Sequence, residues 1–468
     1  MDTLRGILPQ VTSTTELLLG IVESNRAGRR VGLPSVCSAD RFVLEAALRQ
    51  GVRDQTVVLV ESTCNQVNQF GGYTGMRPAD FRALVAEVAA QQGFPTAGLI
   101  LGGDHLGPFP WRHEPAVQAM AKARELVHAC VLAGYTKIHL DCSMRLADDP
   151  GAAHDPLSDE TATARTAELA AVAEAAWGGL PAGQPAPFYV IGTEVPTPGG
   201  EQAADGGPVA TSVNDARRTY ELCATTFAAT DALRAAWERV VALVVQPGVE
   251  FGATQVHAYR RNPATRELSQ AVVEMPHTVY EAHSTDYQTR AALRALVEDH
   301  FAVLKVGPAL TFALREALFA LAAIETELLG PSGQSAGSVV GSATGRPGRT
   351  LAPSGLRETL DRVMREHPEH WRDYYTGDDA ALRLARDFSY SDRIRYYWPQ
   401  PEVRSAVGRL VANLSALGVP PTLLSQYLPD QARAVRDGAL PAQPAPGELI
   451  GHKILAVIDD YADACGMA

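Results

Sequence analysis

The sequence is short of the features that mark several large functional classes. It has no excess of basic charge: 41 Lys and Arg stand against 53 Asp and Glu, a net charge of −12. A general nucleic-acid or anionic-membrane binder needs a basic face, so those classes are disfavoured. No run of about 18 apolar residues occurs, and a membrane span is not expected. The first thirty residues lack a basic stretch followed by an apolar core, so a secretory signal is not expected either. The six cysteines (Cys37, Cys64, Cys130, Cys142, Cys223 and Cys465) are scattered, and none forms a Cys-x-x-Cys pair. Zinc ribbons and redox dithiols are therefore disfavoured, and reduced, buried thiols in a cytoplasmic protein are expected. No Walker A motif appears, and no GxGxxG follows the first apolar run.

What is present is an alternation. Short apolar runs rich in β-branched residues fall at 31–38, 56–61, 98–102, 137–141, 188–192, 240–245, 278–282 and 301–306. Between them lie segments of helical period. In 78–92, Phe81, Leu84, Val85 and Val88 recur at i, i+3, i+4 and i+7. Asp40 stands where the helix after the first run needs an N-cap. Strands alternating with helices read as a parallel sheet with right-handed crossovers. Eight such units predict an α/β fold of the closed (β/α)8 barrel type rather than an open doubly wound sheet.

The expected organisation is an N-terminal helical segment over 1–30 and the barrel over 31–330. A Gly/Ser/Pro-rich linker follows over 331–354, and then a helical extension packed on the barrel over 355–468. The extension has helical period at 355–366, 380–388, 402–417, 421–438 and 447–466, with no convincing strand.

Polar residues sit where the strands end. In a parallel barrel those ends share one mouth, where active sites are built. The candidates there are Glu61, Asp104, His105, Asp141, Glu194, Gln246, His283, Asp286, Lys305 and Gly307. Residues two apart on a strand share a face, so Glu281 and His283, His139 and Asp141, and Lys305 and Gly307 can each look inward together. Any one of these side chains could be a hydrogen-bonded structural group. Burying the whole set without a counter-ion would be costly, and a divalent cation offsets that cost. Histidine and carboxylate donors suit zinc, manganese or cobalt. The expected ligands are His105, Glu194 and His283, with Asp286 and Gln246 as alternatives for a fourth position or for holding substrate. Asp104 is the expected acid/base carboxylate, with Asp141 or Glu61 working from the opposite side.

Phosphate recognition is less specific. Lys305 and Gly307 close the eighth strand, where barrels often hold a phosphate. The segment 388–398 (FSYSDRIRYYW) adds Arg393 and Arg395, read either as part of a packing patch or as a cap reaching a substrate phosphate.

The stretches ESTCNQVNQFGGYTGM, LILGGDHLGP, TKIHLDCSM, YVIGTEVP, ALVVQPGVEF, EAHSTDYQT and SYSDRIRYYW resemble the GatZ/KbaZ family across about Pro34 to Ala464. Members are named as non-catalytic subunits of class II D-tagatose-1,6-bisphosphate aldolase. The resemblance implies a TIM barrel with added helices. It also implies one of two functions. One is a metal-dependent 4-epimerase that interconverts D-tagatose 6-phosphate and D-fructose 6-phosphate, or the free ketohexoses. The other is a stabilising partner of a separate aldolase catalytic subunit. Asp104, His105, Glu194 and His283 lie inside the matching motifs. The chain departs from the family pattern at Leu146, at Phe109 and in the GATQVHAY segment after Phe251; none of these removes an expected ligand.

Overall fold

The computed structural model describes residues 3–7, 13–151, 156–193, 195, 207–330 and 351–467. Eight parallel strands close a barrel: β1 (Leu33–Cys37), β2 (Val58–Thr63), β3 (Leu99–Leu106), β4 (Lys137–Leu140), β5 (Phe188–Ile191), β6 (Val240–Val244), β9 (Val279–Ala282) and β10 (Phe301–Val306). Each falls on one of the eight apolar runs. The remaining two strands, β7 (Glu250–Phe251) and β8 (Val256–His257), form a small antiparallel hairpin in the loop after β6. Helices connect the barrel strands, as the alternation predicts, and the fold is a TIM-type barrel followed in sequence by further helices.

Local chemistry explains most boundaries. The Asp40 carboxylate accepts from the backbone N–H groups of Phe42 and Val43, which starts the helix Arg41–Asp54. Helical period runs through 212–238 without a break, yet the segment forms two helices, Val213–Phe227 and Asp231–Trp237. Thr230 caps the second by accepting from Leu233 N–H. The 421–438 segment is likewise broken, into Pro421–Tyr427 and Pro429–Arg436. Pro429 lacks a donor, and it forces Leu428 out of the helical region to φ −136°.

The chain divides into two compact units. The first comprises 1–307 with 458–468, and the second 308–457. The first holds the barrel. The second is helical among its described residues, beginning with Pro308–Leu329. The sequence placed the barrel's end near 330, after this helix. Most of the expected linker lies outside the described residues. No helix among the described residues is long and apolar enough to cross a membrane.

Candidate active site

The mouth of the barrel is built by strand parity and by two glycines. Glu61, Gly102 and Lys137 occupy one register row across β2, β3 and β4. A methyl group on Gly102 would sit 2.8 Å from Cγ of Glu61 and 3.2 Å from the Lys137 carbonyl oxygen. With no side chain there, Glu61 and Lys137 meet over it, Nζ to Oε1 at 2.6 Å. Further up, β3 and β4 slip in register between Gly103 and Leu106, and His105 takes a φ of 50°. That turn aims its backbone N–H at its neighbour's Oδ1, 3.0 Å away on Asp104. Gly107 then passes so close to β4 that a Cβ would lie 1.8 Å from the Asp141 carbonyl oxygen.

The result is a buried cluster of charge. Lys137 also reaches Oε2 of Glu281 at 2.7 Å. Lys305 contacts Glu61, Asp104 Oδ1 at 3.0 Å and Glu281 Oε1 at 3.6 Å. Glu61, His139 and Glu281 are fully buried, and none of the cluster's members is more than 5% exposed. Burial alone would raise the Asp104 carboxyl, but His105 and Lys305 hold it well below the ordinary range. Glu281 is likewise held down against its burial by Lys137 and Lys305. Asp141, also buried, is lowered to about 2 by its hydrogen bond with His105. Burial would lower Lys305, yet Asp104 and its other anionic neighbours raise it well above the usual value. It is a fixed ammonium. Cys37 lies 3.8 Å from Asp104 Oδ2, and burial pushes its thiol up, so it stands as a weak donor.

Three imidazoles converge above this cluster. The ring of His105 lies 4.8 Å from that of His283 and 5.1 Å from that of His139, and His139 lies 5.1 Å from His283. Asp141 Oδ2 is 2.7 Å from Nδ1 of His105, and Asp104 Oδ1 is 2.7 Å from Nδ1 of His139. When each carboxylate accepts the Nδ1 proton, the lone pair is left on Nε2. Carboxylates orient metal-ligating histidines in this way. The Nε2 of His139 is buried and has no hydrogen-bond partner. Burial, the largest effect on His283, lowers it to about 4, so its ring is neutral near pH 7. Asp104, His139, Glu281 and His283 each offer one donor atom, all within 4.8 Å of one another.

These residues fit a divalent cation. Four carboxylates (Glu61, Asp104, Asp141, Glu281) against two ammonium groups leave two negative charges in a dry site. His105, raised above its ordinary value by Asp104 and Asp141 against its burial, offsets part of this when protonated. A divalent cation offsets all of it.

The structure brings Glu61, Asp104, His105, Asp141, His283 and Lys305 together. Glu194 lies outside the described residues. Gln246 turns into its own loop, where its Oε1 accepts from Gly248 at 2.8 Å and Val249 at 2.9 Å. Asp286 accepts from Gly307 N–H at 3.0 Å. Gly307 itself packs against Cys37, whose carbonyl oxygen would be 2.9 Å from an added Cβ. Lys305, expected at a phosphate, has three carboxylate partners instead. Arg393 and Arg395 belong to the second unit and are buried there. The first lies over the ring of Tyr374, and the second donates to the carbonyls of Ser391 and Asp392. Glu281 was paired with His283 on one strand face but not named a site residue, and His139 and Lys137 were not singled out as site residues from the sequence. The in–out alternation of KIHLD, which puts 137, 139 and 141 on one face, is the signal that finds them.

Residues 18–466 match the family described as D-tagatose-1,6-bisphosphate aldolase subunit GatZ/KbaZ-like. A crystal structure described as a probable tagatose 6 phosphate kinase from Sinorhizobium meliloti 1021 is 44% identical. It matches 93% of this chain and 100% of its own at a TM-score of 0.79. Two aldolases are far more distant. The YdjI aldolase from Escherichia coli K12 and the fructose-bisphosphate aldolase from Campylobacter jejuni are each 12% identical over 86% of this chain. The matches span 97% and 93% of those chains at TM-scores of 0.38 and 0.40. The extent of the family match and the 44% relative lead to one statement: the chain belongs to the GatZ/KbaZ-like family of D-tagatose-1,6-bisphosphate aldolase subunits.

Proposed function

We propose that this chain is a metal-dependent ketohexose 4-epimerase that interconverts D-tagatose 6-phosphate and D-fructose 6-phosphate, or the free ketohexoses, by retro-aldol and aldol steps. The hydrogen on C4 of a ketose is not acidic, so direct proton abstraction cannot invert that carbon. Cleavage of C3–C4 makes C4 a planar aldehyde carbon and moves the bonding pair towards the C2 carbonyl oxygen. Zinc, manganese or cobalt, held by His105, His139 and His283 with Glu194 as a further donor, would supply positive charge opposite the developing oxyanion.

The chain's own residues do the rest. Asp104, kept ionised by its cationic neighbours, accepts the C4 hydroxyl proton as the bond opens. The three-carbon aldehyde turns over, and the bond re-forms on its other face. The proton taken up by Asp104 is passed to the new C4 oxygen through Asp141 or Glu61 on the opposite side, and every carboxylate ends ionised as it began. Lys137 and Lys305 hold Glu61, Asp104 and Glu281 in place as ion-pair partners without taking part as nucleophiles. The observation that carries this reading is the dry cluster of four carboxylates and three imidazoles at one barrel mouth.

The test is to incubate the purified chain and a divalent metal with fructose 6-phosphate, and separately with fructose. The sugars are identified after phosphate removal. Tagatose is expected from at least one; its absence from both refutes the proposal. The family description favours one second reading, a stabilising subunit of an aldolase. Co-elution with an aldolase catalytic subunit and a gain in its activity would support that reading; neither effect would reject it. The related structure's description raises a third activity. Phosphate transfer from ATP to tagatose 6-phosphate would establish it, although the sequence has no Walker A loop.

A further inference from the structure

His283 is followed by a backbone that does not hold itself. Ser284 and Tyr287 have φ angles of 54° and 62°, a region that side-chain-bearing residues avoid. Something must fix them, because His283 stands directly before the first.

The β7–β8 hairpin does so at several points. Glu250 is 7% exposed, and its Oε1 accepts from its neighbour Phe251 N–H at 2.9 Å. Its other oxygen accepts from the Ser284 hydroxyl at 3.2 Å. The ring of Phe251 meets that of Tyr287 edge to face at 5.3 Å. Gln288 donates to the His257 carbonyl at 3.0 Å and accepts from Tyr259 N–H at 2.8 Å. Thr285 is tied from the other side: its hydroxyl donates to the Lys305 carbonyl, and its own carbonyl accepts from the Tyr461 hydroxyl, both at 2.6 Å. The hairpin is in turn fixed at its base by the Gln246 turn.

We propose that the 250–257 hairpin is a clamp that sets the imidazole of His283 in the mouth, with Glu250 as its central positioning residue. This rests on reading His283 as one of the metal donors. Glu250 acts through Ser284, whose strained backbone sets the direction in which His283 leaves β9. Few polar side chains in this loop are as deeply buried, and Glu250 spends its carboxylate on joining the two loops.

The experiment uses Glu250→Ala, Ser284→Ala and Glu250→Gln in the full chain. Affinity for cobalt(II) is measured by competition with a chromophoric chelator. A crystal structure of each variant gives the position of the His283 ring. Glu250→Ala and Ser284→Ala are expected to bind cobalt about tenfold or more weakly, as loss of an outer-shell partner does. Their His283 rings should leave the 4.8 Å contact with His105. The amide of Glu250→Gln can still accept from Phe251 and donate to the Ser284 hydroxyl, so that variant should stay close to the unmodified chain. An unmoved ring with unchanged affinity in both alanine variants overturns the proposal. If the unmodified chain binds no cobalt, the metal reading fails. The ring position in the alanine variants then still decides the clamp. Ser284→Ala removes one hydroxyl only and keeps the test open if Glu250→Ala does not fold.

Discussion

Replacing Lys137 by methionine probes the charge balance of the mouth directly. Its Nζ lies 2.6 Å from Glu61 and 2.7 Å from Glu281, and all three side chains are at most 2% exposed. Methionine roughly keeps the volume and removes the charge. Both carboxylates then face each other across a dry gap with one ammonium, Lys305, between them and Asp104. Breaking a buried pair of this kind costs about 3–5 kcal/mol. That is about two to four powers of ten in the folding equilibrium. The assay is urea denaturation of chelated protein, followed by tryptophan fluorescence. The single variant should lose that amount, while Lys137→Met with Glu281→Gln should recover part of it. The expected coupling is about 1–3 kcal/mol, the range for residues in one network. The loss should also shrink as pH falls, because the stranded carboxylate can then take up a proton in the folded state. A loss below about 1 kcal/mol, or additive single and double variants, would refute the idea that these charges depend on one another.

Other consequences are as direct. His139→Ala should weaken binding of the divalent metal by at least tenfold in a chelator competition while the far-UV circular dichroism is unchanged. Gly102→Ala puts a methyl 2.8 Å from Glu61 Cγ, and should cost about 1–3 kcal/mol in a denaturation midpoint and depress turnover. The loop after Asp141 is held by Asp149, which meets Arg165 at 2.5 and 2.9 Å and accepts from Leu146 N–H. Burial would raise its carboxyl, but Arg165 lowers it below 3.8. Asp149→Asn should therefore cost about 1–3 kcal/mol near neutral pH. A depressed carboxyl stabilises the fold above its unfolded value, so the difference between the two proteins should be full above pH 4 and fade as pH falls further. A gap independent of pH would contradict the assignment.

Much of the barrel could be read from the residues because period and position coincide in it. All eight strands overlap the apolar runs, although β2 runs two residues and β3 four residues past the end of theirs, and helix 78–92 is bounded by the same residues in sequence and structure. The helix breaks at Thr230 and Pro429 were missed, since helical period continues through both. The mouth was read from strand ends, which located Glu61, Asp104, His105, Asp141, His283 and Lys305. That approach has a blind spot inside a strand. Lys137 opens β4, and its long side chain reaches upward to the glutamates, so nothing at the strand's end announces it. His139 shares an inward face with Asp141 in the alternation, but it sits mid-strand, and a search for donors at strand ends passes over it. Lys305 showed the opposite problem. A lysine at the eighth strand suggests a phosphate, but its role depends on which acids fold beside it. The β7–β8 hairpin is too short for its alternation to stand out from a loop.

The most direct measurement is anomalous diffraction from crystals loaded with cobalt. The account predicts one peak at the barrel mouth, about 2.0–2.2 Å from nitrogens of the imidazoles of His105, His139 and His283. A mouth with no peak, or a peak bound elsewhere on the chain, would contradict it.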